Sequence, residues 1–212
     1  YETCKEAEKY VPQKEQPSHL GVAFDPSGPT FRDEAFADYK AQREKTPEDI
    51  KLSVPIIKQV LEAMNIPILE VKGYEADDVI GTLATQASHF DMETYMLTPD
   101  KDYGQLVKEN VFIYRPRHGG GYEILGVEQI KEKYQIESPS QVIDILALMG
   151  DSADNFPGCP GVGEKTAIKL INDFKSINNL LENTNQLKGK LKEKVESAVD
   201  DIKMSNFLAT IK

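Results

Sequence analysis

The sequence predicts an α/β fold, a parallel sheet flanked by helices, followed by an all-helical carboxyl-terminal subregion. Two features predict it: short apolar runs alternate with amphipathic helical segments from Leu20 to Leu97, and after Gly126 every periodic segment has helical spacing. Residues 1–19 form a polar amino-terminal arm without a strand signal. Residues 20–149 form the α/β core and residues 150–212 the helical subregion.

Leu20–Phe24 reads as a buried strand that stops at Asp25-Pro26, which puts Asp25 at a strand tip. Residues 28–45 mix aromatic and basic side chains without a core stripe, and read as an exposed, mobile segment. Thr46-Pro47-Glu48-Asp49 opens a helix, with Thr46 as cap and Pro47 in its first turn. Ile50, Val54, Ile57, Val60, Leu61 and Met64 mark its apolar face, and Pro55 marks a kink. Ile66–Val71 then reads as strand, Glu75–Ser88 as helix and Thr94–Leu97 as strand. A hairpin at the sheet edge joins Val111–Tyr114 to Tyr122–Leu125 through His118-Gly-Gly-Gly121.

The 212 residues, 40% of them hydrophobic, suffice to bury a core, and no apolar run approaches the roughly 20 residues of a membrane span. Cys4 and Cys159 have no metal-ligand spacing and fit two incidental thiols in a reducing compartment, so the expectation is a cytoplasmic, monomeric protein. The formal charge of -10 argues against nucleic acid at first sight. Its distribution reverses that inference, because eight acids fall into four short clusters, and the remaining acids and bases nearly balance.

Those clusters are Asp25, Glu75-Ala-Asp77-Asp78, Asp100-Lys-Asp102 and Asp151-Ser-Ala-Asp154. Residues just past several parallel strands converge at one sheet edge. Converging carboxylates repel one another unless cations hold them, and this many hard oxygen donors suits two Mg²⁺ ions, with Mn²⁺ as substitute. Acids at helix starts are also ordinary capping residues; for one cluster alone capping is the simpler reading, but four together favour metal. Asn155–Ala167 adds closely spaced glycines before an amphipathic helix, where backbone N–H groups can meet a phosphate. The ATP-loop spacing is absent, as are a Gly-x-Ser-x-Gly nucleophile and any histidine–cysteine cluster.

Seven collinear motifs then resemble the 5′ nuclease domain of bacterial DNA polymerase I, part of the flap endonuclease superfamily. They are Val22-Ala-Phe-Asp25, Phe31-Arg-Asp-Glu34, Tyr39-Lys-Ala-Gln-Arg43, Gly73-Tyr-Glu-Ala-Asp-Asp78, Leu97-Thr-Pro-Asp-Lys-Asp102, Gly150-Asp-Ser-Ala-Asp-Asn155 and Gly161-Val-Gly-Glu-Lys-Thr-Ala167. The resemblance implies a PIN-like, resolvase-like nuclease core, an arch at about residues 28–46 and a helix-hairpin-helix element.

By match to the family motifs, Asp25, Glu75, Asp77, Asp78, Asp100, Asp102, Asp151 and Asp154 are expected as metal ligands, with Asp100 central to catalysis. Lys40 and Arg43 are expected to steady the scissile phosphate. Arg32, Tyr39, Gly161, Gly163, Lys165 and Thr166 are expected to join them in contacting flapped or branched duplex DNA. The family also begins with a further strand carrying another aspartate, which Tyr1–Val11 does not supply. The expectation that follows is weak metal binding and slow or absent cleavage, with a polymerase region after residue 212. A silent branched-DNA binding module and a two-metal phosphatase stay open as alternatives.

Overall fold

The computed structural model describes residues 17–117 and 119–212, so the reading of residues 1–16 as an arm, Cys4 and His118 lie outside it. The chain divides into two compact units: Tyr1–Phe24 with Lys45–Glu70, and Asp25–Glu44 with Val71–Lys212. This division crosses the sequence reading, which cut the chain at residues 19 and 149.

The smaller unit pairs β1 (Val22–Ala23) in parallel with β2 (Ile68–Leu69), and between them in sequence runs α2 (Glu48–Ala63). The helix begins one residue after Pro47, which itself occupies the cap position, and contains Pro55 as expected. Its apolar face is not core. None of its residues is buried, and Ile50, Ile57, Val60 and Met64 stay exposed, because a two-stranded sheet offers too little surface to cover a 16-residue helix.

The larger unit holds α1 (Phe31–Ala35), α3 (Ala76–His89) and a three-stranded sheet in the order β3 (Thr94–Leu97), β4 (Val111–Pro116), β5 (Tyr122–Leu125). β3 and β4 run parallel, while β4 and β5 form the expected antiparallel hairpin at the edge. Gly119, Gly120 and Gly121 all take positive φ in its turn, where a β-carbon would be strained. The strands thus form two separate sheets among the described residues, not one, since no described strand bridges β2 to β3.

From Val127 onward the chain is helical as anticipated: α4 (Val127–Tyr134), α5 (Val142–Met149), α6 (Glu164–Phe174), α7 (Ile177–Glu182), α8 (Gly189–Ser197) and α9 (Val199–Ala209). The core centres on α5, whose Val142, Ile145, Ala147 and Leu148 are fully enclosed by residues that include Leu170 and Ile171 of α6 and Ile202 and Leu208 of α9. No helix of the described residues is long and apolar enough to cross a membrane.

One ionisable group sits uneasily in this core. Burial pushes the Asp144 carboxyl on α5 up to about 6, against a hydrogen bond from the Ile177 backbone that pulls it down. A carboxyl whose folded pKa is raised contributes stability below its unfolded pKa of about 3.9, and that contribution disappears as pH rises through the folded value. Asp144→Asn should therefore melt higher than the parent at pH 8, with the gap closing as pH falls towards 4. Equal melting temperatures at pH 8 would place Asp144 in water.

Candidate metal and phosphate site

All the candidate site residues lie in the larger unit, on the loop after β1, on α1 and the turn after it, at the start of α3, on the 3₁₀ turn Lys101–Leu106 and the residue before it, and on the loop after α5 with the first turn of α6. Backbone geometry aims several of the acids. Asp25 Oδ1 accepts from Ala76 N at 2.8 Å, Asp100 Oδ1 from Asp102 N at 2.9 Å and Asp151 Oδ1 from Ala153 N at 2.7 Å. Each carboxylate thus caps a turn with one oxygen, so capping and ligand roles are not exclusive here.

Asp100, Asp102, Asp151 and Asp154 line one cleft of about 250 Å³ together with Arg43, Pro99, Lys101 and Ala153. Burial, then the neighbouring Asp100, pushes Asp102 up to about 7, with Lys101 pulling the other way. Its Oδ1 is buried without a hydrogen-bond partner. Asp77 is also raised, chiefly by burial; the Tyr103 hydroxyl, which donates to it at 2.7 Å, lowers it, and Asp100 raises it further. Asp151 moves the opposite way: burial works against its charge, but the Lys101 ammonium and the backbone N–H of Ala153 hold it below the usual carboxylate range.

The cations of the site all face these acids. Lys40 Nζ lies 2.6 Å from Glu75 Oε1 and 3.9 Å from Asp154, Lys101 pairs with Asp151, and Arg43 pairs with Asp154. The turn that carries Lys40 and Arg43 is docked by backbone as well. Lys40 N donates to Asp154 O at 2.9 Å, Arg43 Nε to Ala153 O at 3.1 Å and Asn155 Nδ2 to Asp38 O at 2.6 Å. Lys40 sits at φ 53, a left-handed conformation that costs a non-glycine residue energy and is held here by those contacts.

As placed, no three described Asp, Glu, His or Cys side chains are gathered closely enough to hold an ion. The donor set nonetheless fits a hard divalent cation. It is all oxygen, it leaves the buried Asp102 Oδ1 unpaired, and lysine and arginine nitrogens now occupy the carboxylates that an ion would take.

Three of the expected residues stand elsewhere. Asp78 is 1% exposed, and its two oxygens accept from Arg32 Nη1 and Nη2, Glu75 N and Lys212 N, which fills the roughly four lone-pair sites of a carboxylate and leaves none for a metal. Arg32, expected on the DNA-binding surface, is 2% exposed and faces inward to Asp78 and Glu75. Tyr39 is likewise buried, its hydroxyl 3.1 Å from Glu75 Oε2. The segment expected to be exposed and mobile is therefore partly an internal ion-pair anchor.

The expected DNA-contacting residues before and at the start of α6 lie at the surface. Gly161, Gly163 and Lys165 are exposed and Thr166 half-exposed, with Gly163 capping α6 and Val162 buried beneath. Residues the sequence did not single out are Lys101, which stands between two acids of a motif already noted, and Tyr103 and Gln42. Tyr103 aims Asp77 and has no local signal, whereas Gln42, which donates to Ser152 O, stands inside the Tyr39–Arg43 motif.

Comparison with known proteins identifies the family and the fold. Residues 3–135 match the model of the 5′-3′ exonuclease N-terminal resolvase-like domain, and residues 137–212 match that of the 5′-3′ exonuclease C-terminal SAM fold. DNA polymerase I of Bacillus subtilis is 45% identical over 94% of the chain, which spans only 23% of that protein. A 5′-3′ exonuclease of Aquifex aeolicus is 43% identical over 81% of the chain and 58% of its own length. Among solved structures, T5 5′-exonuclease with bound zinc superposes at a TM-score of 0.80, with 19% identity, over 98% of this chain and 80% of that one. A T5 flap endonuclease in a pseudo-enzyme-product complex with DNA and metal ions superposes at 0.79, with 20% identity, over 98% and 78%. With both of its successive regions matched by models of one family, this chain belongs to the 5′-3′ exonucleases.

Proposed function

We propose that the chain is a structure-specific 5′ nuclease that hydrolyses DNA phosphodiesters at or near the junction of an unpaired 5′ strand with duplex, using two Mg²⁺ ions that Mn²⁺ can replace. The observation that carries this reading is the meeting of Asp100, Asp102, Asp151 and Asp154 with Arg43 in one cleft, with Asp77, Glu75 and Lys40 beside it. Membership of the 5′-3′ exonucleases supports DNA as the substrate class, and the relative spanned in small part by this chain, a DNA polymerase I, supports fusion to a polymerase region.

Asp25, Asp77, Asp100, Asp102, Asp151 and Asp154 would hold the ions. When bound, such ions supply an activated water and stabilise charge on the phosphate and the departing oxygen. Arg43 would exchange Asp154 for phosphate oxygens, and Lys40, held at Glu75, would turn its remaining N–H donors to the phosphate, neutralising charge where it develops. The Asp102 carboxyl must give up its proton for the site to fill, which ties loading to pH near its pKa of about 7. Gly161, Gly163, Lys165 and Thr166 would grip the duplex backbone through N–H groups and one ammonium, so recognition follows shape and not base sequence. The work is that of primer removal and repair on DNA in the bacterial cytoplasm.

A labelled 5′-flap duplex and a blunt duplex of the same sequence, each incubated with the protein and Mg²⁺, test the reading. Cuts should cluster at the flap junction, vanish with chelator and be slower on the blunt substrate. Turnover of nitrophenyl phosphate with no DNA cleavage would instead make the protein a phosphatase.

A further inference from the structure

Arg32 has five guanidinium N–H donors, and the structure gives an acceptor to every one. Nε reaches Leu208 O at 2.8 Å, Nη1 reaches Glu75 Oε2 at 3.0 Å and Asp78 Oδ2 at 2.8 Å, and Nη2 reaches Asp78 Oδ1 at 2.9 Å and Thr210 O at 2.7 Å. The side chain therefore joins two regions about 130 residues apart in sequence: the carboxylates at the start of α3, and the segment that closes α9. That segment is held at further points. Gln105 donates to Ala209 O and accepts from Ile211 N, both at 2.9 Å, and Lys212 N donates to Asp78 Oδ1 at 3.0 Å. Ile211 packs so tightly on α3 that a β-carbon on Gly81 would lie 2.6 Å from its Cγ2.

Glu75 is the point where this buried network meets the cleft. One of its oxygens faces Arg32 and Tyr39, while the other holds Lys40 at 2.6 Å. We propose that Arg32 is a positioning residue: it fixes Glu75, and through it Lys40, by bolting them to the Leu208–Lys212 segment, with Asp78 as its structural counter-ion. Arg32 touches no reacting atom in this arrangement. A lysine there would keep the charge but offer three donors in place of a planar fork of five, leaving acceptors in a buried site unpaired.

The inference rests on the nuclease reading for its kinetic arm only. Amide hydrogen exchange supplies the other arm, because the Ile211 and Lys212 amides bond to Gln105 and Asp78. In Arg32→Lys, exchange at these two amides should accelerate by about 10-fold or more as the local opening equilibrium shifts. Flap-cleavage kcat should fall by about 10-fold or more with KM changed less than about two-fold, as for other groups that orient a reacting shell. Gly81→Ala, which displaces Ile211 and leaves Arg32 intact, should loosen the same amides and lower kcat in the same direction.

Unchanged exchange in Arg32→Lys overturns the proposal whether or not the protein cleaves DNA. A rise in KM alone also overturns it, by returning Arg32 to the DNA-binding surface. Loosened amides in Gly81→Ala with parental kcat would break the link between the segment and the cleft. Failure of the parent protein to cut any flap substrate defeats the nuclease reading instead, and the exchange result then decides this inference alone.

Discussion

Asp100→Asn should lower the rate of Mg²⁺-dependent flap cleavage by at least ~10²-fold, the scale at which lesser perturbations of a metal site already act, while leaving the melting temperature at pH 8 unchanged or higher. The separation of the two readouts follows from what Asp100 does. Its Oδ1 caps Asp102 N at 2.9 Å, and an asparagine carbonyl oxygen can keep that bond. What asparagine removes is the negative charge beside Asp102 and Asp77, both of which Asp100 pushes up. Without an ion that charge is a source of repulsion, so its loss relieves the folded state; with an ion it is a donor, so its loss weakens the site. Asp102, freed of one neighbour, should also titrate nearer to the ordinary carboxylate range. A variant that melts well below the parent and still cleaves at the parental rate would make Asp100 a cap and nothing more.

Gly158→Ala should destabilise the fold by about 4 kcal/mol or more, in the rare tail of single substitutions, read as a lower urea midpoint. Gly158 sits at φ 62, and a β-carbon there would lie 2.2 Å from Gly150 N and 2.6 Å from Gly150 Cα. Neither segment can retreat. Gly158 N donates to the buried Ser205 Oγ and Cys159 N to Leu148 O, both at 2.8 Å, and Leu148, Cys159 and Phe156 are themselves in the core. Interiors this dense transmit an overlap instead of absorbing it. Gly163, five residues further along, is the internal control: nothing lies within 4 Å of its missing β-carbon and its φ of -97 is ordinary, so Gly163→Ala should leave the midpoint within about 0.5 kcal/mol of the parent, as at exposed sites generally. Equal midpoints for the two variants would contradict the crossing of the Gly150 and Gly158 backbones.

The contrast between those glycines also shows where sequence reading stops. The spacing of Gly161 and Gly163 before an amphipathic helix predicts an open turn, and the structure exposes both. Gly158 belongs to the same stretch, yet its demand arises from Gly150, on the far side of a loop, and periodicity carries no trace of such a crossing. Acids after predicted strands were legible for a similar reason: Asp25, Asp77 and Asp100 owe their positions to local turns and to topology. Asp78 follows the same pattern in sequence and departs from it in space, because its partners include Arg32 and the Lys212 amide, 46 and 134 residues away. The apolar stripe of α2 misled in the other direction. Ile50, Ile57 and Val60 have the spacing of a core face, but spacing shows only that residues share a side, and whether anything covers that side depends on the rest of the fold.

The pairing of Lys40, Lys101 and Arg43 with Glu75, Asp151 and Asp154 bears on how a polymer of phosphates can approach a chain of charge -10. Opposite charges a few ångströms apart act at a distance as dipoles, whose field dies away faster than that of a bare charge, and salt at physiological strength erases much of what is left within about 8 Å. The paired cations of the cleft therefore cast little attraction outward, its acids outnumber them, and an incoming strand feels individual ammonium and guanidinium groups only on arrival. Attraction from afar must come from elsewhere on the surface, so the ionic-strength dependence of encounter should be set by exposed bases such as Lys165, and not by the cations of the cleft.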